Sequence, residues 1–268
     1  MSVGVDPTDP AANRVYIGGN PHGFNADLSG VPGAHYVWRS DDGGSTWTSV
    51  SQGADKTSGL HSDDHEIVFD AAGNVWDGND GGVWRSTDHG ASWANLNTNL
   101  AITQFQGLAL HPTNPDYVIG GTQDNGTNIL GTGLVAPPVW FHTDFGDGGL
   151  AIIDQSNPST MLHTYFNASG AFFGPSRTDN GGVDGSGSWS FVGTYAGAPG
   201  CENGMDPFDD VSFYAALAQN TAFTPNVVYF GSNKIYRSPD PQPNHTNAPA
   251  DPLVCSGAVS WTAVSRAG

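Results

Sequence analysis

Four acidic loops carry most of the side chains that could do chemistry, because each places carboxylates beside histidine, amide or glycine. These loops are residues 61–66, 77–82, 123–126 and 142–149. Loops positioned by a rigid scaffold carry catalytic and binding residues more often than the scaffold itself. Paired carboxyl groups suit glycoside hydrolysis, in which one protonates the leaving oxygen and the other activates water or attacks the sugar carbon. The same loops also read as ordinary β-turns, where aspartate and glycine are common.

The first loop has the composition of a metal site. His61, His65 and Asp63 lie close together in the sequence, and imidazole and carboxylate are both metal ligands. On a strand or loop, this spacing does not place both histidines on one face, so hydrogen-bonded loop residues are the competing interpretation. Aspartate-rich glycine turns could instead hold Ca²⁺ or another divalent cation, although no motif requires a cofactor.

A repeated motif indicates which elements position these loops. Ser40, Asp42, Gly44 and Trp47 form a Ser-x-Asp-x-Gly-x-Ser/Thr-Trp motif, and the second copy has the matching positions Ser86, Asp88, Gly90 and Trp93. Each copy follows a Val-Trp-Arg segment that favours a strand. The aspartate can accept hydrogen bonds from the turn, the glycine can adopt a positive φ, and the tryptophan can pack against the turn. We therefore predict a structural hairpin.

This motif resembles the Asp-box, or BNR, repeat found in sialidases, xyloglucanase-type glycoside hydrolases and sortilin-type receptors. The resemblance implies a β-propeller in which the Asp-box lies at the outer rim of each blade. A second repeat of strand, Pro/Asn/Asp turn and strand occurs five times. We predict an all-β propeller of about five four-stranded blades, with a fragment of a larger propeller as the alternative. The blades are predicted at residues 1–55, 56–100, 101–147, 148–200 and 201–268, as one domain.

The resemblance also implies candidate catalytic residues. Asp80 and Asp147 stand in Asp-Gly-Gly loops like those that carry catalytic aspartates in xyloglucanase-type hydrolases, and Asp64 is a third candidate on the same face. A secreted, glycoside hydrolase-like protein that contacts glycans follows from this likeness. The alternative is a non-catalytic extracellular scaffold. Sialidase activity is disfavoured, because that family needs three arginines for the substrate carboxylate and a Tyr/Glu nucleophile pair. Here Arg39, Arg85 and Arg237 share one repeat position, which indicates a structural role, and the chain has only two glutamates.

Subtraction of the repeat positions leaves five candidate ligand-binding residues. Trp140 is the tryptophan that no repeat position explains, and a ring beside polar groups can stack on a sugar, although ordinary packing is the alternative. The predicted ligand-binding residues are Trp140, His142, Asp144, Asp124 and His65.

Charge and cysteines restrict partners and location. The formal charge is −18, from 8 Lys+Arg against 26 Asp+Glu. This disfavours nucleic acid and anionic membranes. The Asp-box resemblance implies a carbohydrate or another extracellular protein as the partner. Cys201 and Cys255 lie in long insertions that a disulfide would join, and a pair of free thiols is the alternative. We expect an extracellular or periplasmic protein without membrane insertion, although the sequence shows no signal peptide.

Overall fold

The computed structural model describes most of the chain, and every structural statement below refers to that part. The described residues are 2–11, 13–19, 36–51, 59–61, 63–100, 103–131, 139–183, 185–222, 227–243, 245–246 and 254–266.

The described residues form five four-stranded antiparallel sheets, which we call blades 1 to 5. Blade 1 contains β1 (Ser2–Val5), β2 (Val15–Gly18), β3 (Val37–Ser40) and β4 (Thr48–Ser49). Blade 2 contains β5 (Asp64–Phe69), β6 (Val75–Asn79), β7 (Gly82–Ser86) and β8 (Ala94–Asn95). Blade 3 contains β9 (Phe105–Leu110), β10 (Val118–Thr122), β11 (Thr127–Gly131) and β12 (Val139–Asp144). In these three sheets the spatial order follows the chain, so each is a β-meander.

Blades 4 and 5 each carry an inserted two-stranded sheet. Blade 4 contains β13 (Ala151–Ile153), β14 (Met161–Thr164), β16 (Pro175–Thr178) and β17 (Ser190–Phe191), while β15 (Phe172–Phe173) pairs with β18 (Thr194–Tyr195). Blade 5 contains β19 (Leu217–Asn220), β20 (Val227–Gly231), β21 (Lys234–Ser238) and β24 (Thr262–Arg266), while β22 (His245–Thr246) pairs with β23 (Val254–Cys255). The predicted all-β class and four-stranded blades are confirmed.

The chain divides into two compact units, residues 1–102 and 103–268. The core of the first unit includes Tyr16, Ile67 and Trp84. The second unit has two clusters, one around Ile119 and Trp189 and the other around Phe173, Phe230 and Trp261. The single domain predicted for residues 1–268 stays a prediction.

Strand β6 shows how a blade is built from its sequence. Its side chains alternate between buried and half-buried positions, as the period of two in a β-strand requires. The buried set changes character along the strand, from apolar Val75 to polar Asp77 and Asn79. Strand β6 therefore contributes to the core at one end and brings polar groups together at the other.

Both Asp-boxes form the predicted hairpin. In blade 2, the Ser86 hydroxyl donates to Asp88 at 2.7 Å and accepts the Gly90 N–H at 2.7 Å. Asp88 also accepts the Ser92 N–H at 2.8 Å and its hydroxyl at 2.6 Å. Gly90 has a φ of 87°, which a side chain would strain. The box in blade 1 repeats this network around Ser40 and Asp42.

Repeat-position arginines are structural, as predicted for Arg39. This side chain donates to the carbonyl of His89, in the Asp-box turn of the next blade, at 2.6 Å. Arg177 occupies the same position in blade 4, where it pairs with Asp240 and donates to the carbonyl of Pro241 at 2.9 Å. The guanidinium of Arg85 instead lies over the Trp76 ring at 5.4 Å.

Two further features complete the fold. Residues 210–216 form neither helix nor strand, and β19 begins directly after them at Leu217. Among the described residues, no helix has the length and apolar composition needed to cross a membrane.

Candidate functional site

An aromatic cavity in the second unit is the strongest candidate site among the described residues. Its volume is about 390 Å³. The lining residues are Asp144, Phe145, Gly146, Tyr165, Phe166, Phe172, Ser176, Trp189, Phe191 and Tyr195. Concave sites with mostly apolar walls and a few convergent polar groups are typical of small-ligand binding.

Blades 3 and 4 position this cavity. Asp144 ends β12, while Tyr165 and Phe166 follow β14 directly. The inserted sheet of β15 and β18 contributes Phe172 and Tyr195, which are paired across it. The insertion in blade 4 therefore supplies one wall.

Buried polar groups hold Asp144 in place. Its Oδ2 atom accepts the Tyr165 hydroxyl and contacts His163 Nε2 at 2.9 Å. Its Oδ1 atom accepts the N–H of Phe145 at 3.0 Å. His163 is fully buried, and its Nδ1 atom lies 3.1 Å from the Thr127 hydroxyl. These contacts satisfy both carboxylate oxygens of Asp144, so its role in this geometry is to orient Tyr165.

Thr127, His163 and Asp144 have the order of a nucleophile, base and acid. The Thr127 side chain is fully buried, however, and it does not line the cavity. A catalytic nucleophile must be accessible to the substrate and must also be hydrogen-bonded to its base. This arrangement therefore fits a structural network better than a hydrolase triad. Burial raises the pKa of Tyr165, and the negative charge of Asp144 adds a smaller increase. Its hydroxyl therefore remains protonated at neutral pH.

The predicted residues Asp124 and Asp147 meet in the second unit. The Asp124 N–H donates to Asp147 Oδ1 at 3.1 Å, and Asp124 has a φ of 59°. Positive φ at a residue with a side chain is uncommon and often marks a binding or catalytic loop. Burial first, and then the charges of Asp147 and Asp124, raise the pKa of Tyr214 to about 12. Tyr214 therefore lies within the electrostatic reach of both carboxylates.

The other two predicted ligand-binding residues of blade 3 lie on β12 outside the cavity. Trp140 is 46% exposed and packs against Phe105, with ring centroids 4.9 Å apart. His142 is also exposed, and no described cavity includes it. Their predicted roles in ligand binding stay predictions.

In the first unit, Asp80 lies among three of the predicted residues. His65 Nε2 contacts Asp80 Oδ1, and carboxylate oxygens of Asp63 and Asp80 lie within 4.8 Å of each other. The side chain of His61 packs beside Gly81, where an added Cβ would lie 2.6 Å from the Cβ atom of His61. The described contacts thus bring the acidic residues and one histidine together, while the predicted metal site at His61, His65 and Asp63 stays a prediction.

Asp64 occupies a buried position beside Asp77. It is 4% exposed, accepts the Ser2 hydroxyl, and fills the space where a Cβ on Gly18 would lie only 2.2 Å away. Asp77 is 1% exposed and accepts the Asn79 amide at 2.6 Å. Burial, with the hydrogen bond and charge of Asp64, raises the pKa of Asp77 to about 9. The Oδ2 atoms of both residues find no N–H or hydroxyl donor among the described residues, so a proton on Asp77 would supply the missing donor.

Sequence reasoning missed the cavity walls and Asp77. The wall residues are dense aromatic positions at 165–173 and 189–195, with no motif beyond that density. Asp77 was inside a predicted acidic loop, although it belongs to β6. The period of two in β6, which buries Val75 and Asp77 together, was the signal available.

The repeated four-stranded sheets and their Asp-box turns define an Asp-box β-propeller class of fold. Residues 35–157 match the family model described as "Sortilin-Vps10: Sortilin, neurotensin receptor 3,". This match confirms the resemblance to Asp-box propellers of the sortilin type. No curated protein matches the chain.

Several solved structures are similar to this chain. A GH74 xyloglucanase from Xanthomonas campestris is 16% identical, with a TM-score of 0.36 over 99% of this chain and 39% of that chain. YCF48 bound to D1 peptide is 14% identical, with a TM-score of 0.33 over 85% and 60%. An auxiliary nutrient binding protein from Bacteroides thetaiotaomicron is 12% identical, with a TM-score of 0.31 over 88% and 54%. The chain therefore spans between 39% and 60% of the length of these structures.

Proposed function

We propose that this chain is a carbohydrate-binding Asp-box propeller and that the aromatic cavity is its binding site. The observation that supports this function is the cavity of about 390 Å³ with seven aromatic side chains in its lining. Sugar rings present apolar C–H faces that stack on such rings, while a few hydroxyl groups fix their orientation. Tyr165, Tyr195 and Ser176 provide hydroxyl groups in the lining.

Binding fits this cavity better than hydrolysis does. Hydrolysis of a glycosidic bond requires two carboxyl groups that can reach it. Asp144 is the carboxylate of the lining, and its oxygens already bond to Tyr165, His163 and the Phe145 backbone. This favours the non-catalytic alternative at this site.

Hydrolysis is a second candidate function, located elsewhere. The proximity of the Asp63 and Asp80 carboxylates supports it, and the Asp80 side chain is 27% exposed. Asp147 is the corresponding candidate in the second unit. Asp64 is a weaker candidate because it is almost fully buried. Under this proposal, Asp80→Asn abolishes any hydrolysis found, whereas Asp88→Asn, in a rim turn, leaves the rate unchanged.

We also place the protein in an extracellular or periplasmic compartment, with a disulfide between Cys201 and Cys255. Cys201 is fully buried, and the Gly257 N–H donates to the Gly200 carbonyl at 3.2 Å, which joins the two flanking segments. The side chain of Cys255 lies outside the described residues. Under this proposal, mass spectrometry of a non-reduced digest finds the cross-linked peptide. Two free thiols in protein folded under oxidising conditions would contradict it.

A glycan array, followed by titration calorimetry on the strongest hit, tests the binding function. Phe145 lines the cavity and is 63% exposed, so Phe145→Ala removes a contact surface with little loss of folding stability. We expect affinity to fall about tenfold, which corresponds to about 1.4 kcal/mol. Phe208→Ala is the matched control, because Phe208 is 70% exposed and outside the lining. Absence of any hit, or equal losses in both variants, would refute the assignment.

A further inference from the structure

A line of aromatic rings continues from the cavity to the surface of the second unit. Phe172 and Phe166 line the cavity with their centroids 5.1 Å apart. Phe166 then stacks on Phe213 at 5.5 Å, with the ring planes 23° apart. Phe213 meets Tyr214 at 4.9 Å, edge to face. One row of rings thus extends beyond the enclosed volume.

The outer part of this row is open to a ligand. Phe213 is 47% exposed although it stacks on Phe166, so one part of its ring remains available. Large apolar groups exposed next to a concave site mark interaction surfaces more often than isolated ones do. Phe166 connects the exposed ring of Phe213 to the cavity, so one ligand can contact both surfaces.

The far end of the row is polar. The backbone of Gly149 packs against the Tyr214 ring, where an added Cβ would lie 3.1 Å from it. Gly149 belongs to the same loop as Asp147, whose carboxylate is bonded to the backbone of Asp124. The Asp147 side chain is half-buried and remains partly open to solvent at this end.

This sequence of surfaces fits a chain of sugar rings. Each ring offers an apolar face for stacking and hydroxyl groups for bonding at its edge, and consecutive rings repeat both features. The net charge of −18 and the two carboxylates at the polar end disfavour an anionic polymer. The structure therefore favours a neutral glycan.

We propose that the binding site is an extended groove for a neutral linear oligosaccharide, with one sugar ring in the cavity, the next on Phe213 and a further one beside Tyr214 and Asp147. This inference rests on the proposed function and adds the length and charge of the ligand. At the polar end, Asp147 accepts a sugar hydroxyl.

Calorimetric titration with ligands of increasing length tests the groove. The probes are glucose, xylose, mannose and galactose, each beside its β-1,4-linked tetrasaccharide, and tetragalacturonate serves as the anionic probe. We expect at least one neutral tetrasaccharide to bind ten or more times more tightly than its monosaccharide, and tetragalacturonate not to bind.

Three variants separate the parts of the site. Phe213→Ala should lower tetrasaccharide affinity about tenfold and leave monosaccharide affinity unchanged, because only the longer ligand reaches that ring. Asp147→Asn should have a smaller effect of the same kind, since it weakens only the acceptor at the polar end. Phe208→Ala, the exposed control, should change neither affinity.

The outcomes distinguish this inference from the proposed function. If a monosaccharide binds as tightly as its tetrasaccharide and only Phe145→Ala weakens it, the groove is wrong and the cavity stands. If tetragalacturonate binds best, the neutral-ligand assignment is wrong. If no probe binds at millimolar concentration, both the groove and this class of ligand are refuted.

Discussion

The Asp-box turn of blade 2 and the matching turn of blade 4 occupy the same place in their sheets but are held by different hydrogen bonds. In blade 2, Asp88 bonds Ser86 and Ser92, and Trp93 follows immediately. In blade 4, Thr178 and Asn180 replace the serine and aspartate, and the Thr178 hydroxyl donates to Asn180 at 2.8 Å. A 3-10 helix at Gly185–Ser188 then precedes Trp189. The carboxylate can therefore be lost and the turn lengthened while the tryptophan is kept.

The tryptophan is kept because its indole N–H bonds to the preceding blade. Trp93 donates to the Val50 carbonyl at 2.7 Å, Trp189 to the Thr143 hydroxyl at 3.0 Å, and Trp261 to the Val192 carbonyl at 2.8 Å. The aspartate closes a local turn, whereas the tryptophan joins two sheets. Blade 4 has this tryptophan anchor although its turn is longer and it contains the inserted strands β15 and β18, which contribute a wall of the cavity.

The largest effect should come from removing an anchor. We expect Trp93→Ala to lower the free energy of unfolding by about 3–5 kcal/mol, since this side chain is 6% exposed. Trp93→Phe keeps most of the packing and loses the hydrogen bond, for about 1 kcal/mol. Urea denaturation measures both. A loss below about 1 kcal/mol for the alanine variant would show that the tryptophan does not join the blades.

The second-largest effect should be on the pH dependence of stability, because the buried carboxylates of the two units have different partners. Asp144 has a hydroxyl and an imidazole as partners, whereas Asp77 faces Asp64. Because folding raises the pKa of Asp77 to about 9, the folded state holds a proton that the unfolded chain releases above about 3.8. Stability from this group is therefore complete below the unfolded pKa and is lost as pH rises toward 9. One proton gives a slope of about 1.4 kcal/mol per pH unit at most.

Asp77→Asn measures this pH dependence. The amide keeps the shape and cannot ionise, so we expect a flatter profile of unfolding free energy between pH 5 and 9 than in the parent protein. Asp88→Asn serves as the control on the rim and should keep the parent profile in that range. An unchanged slope in Asp77→Asn would show that Asp77 is ionised in the folded protein.

The smallest effect should come from exchanging the turn residues. Asp88→Asn weakens the bonds from Ser92 and should cost about 1 kcal/mol. Asn180→Asp should change stability by less than about 0.5 kcal/mol, because the sequence position that matches Ser92 is Asp184, which has no hydroxyl to donate. Thermal unfolding of both variants gives the comparison. A large gain for Asn180→Asp would mean that the blade 4 turn retains the closed form.

The sequence was most informative where side-chain identity alone determines local structure. The Asp-boxes predicted hairpins because serine, aspartate and glycine at fixed offsets can satisfy one turn, as Ser86, Asp88 and Gly90 do. Arg39 was assigned to structure by its repeat position, and its bond to the next blade agrees with that role. Asp124 and Asp147 were selected from separate loops, which the fold brings into contact.

The cavity and the buried acid were not predictable in this way. Phe172 and Tyr195 become one wall only when β15 pairs with β18 across residues 174–193, and no local pattern predicts that pairing. The proximity of Asp64 and Asp77 likewise depends on the register between β5 and β6, where a bulge shifts the strands after Asp64. The register between distant strands is set by packing, so short sequence motifs do not predict it.

The most direct test of the central claim is a crystal structure of this chain soaked with the strongest neutral oligosaccharide from the array. The account predicts density for a sugar ring among Phe145, Phe172 and Tyr195, with the next ring over Phe213. Density at Asp63 and Asp80 with an empty aromatic cavity would contradict it and would transfer the function to the first unit.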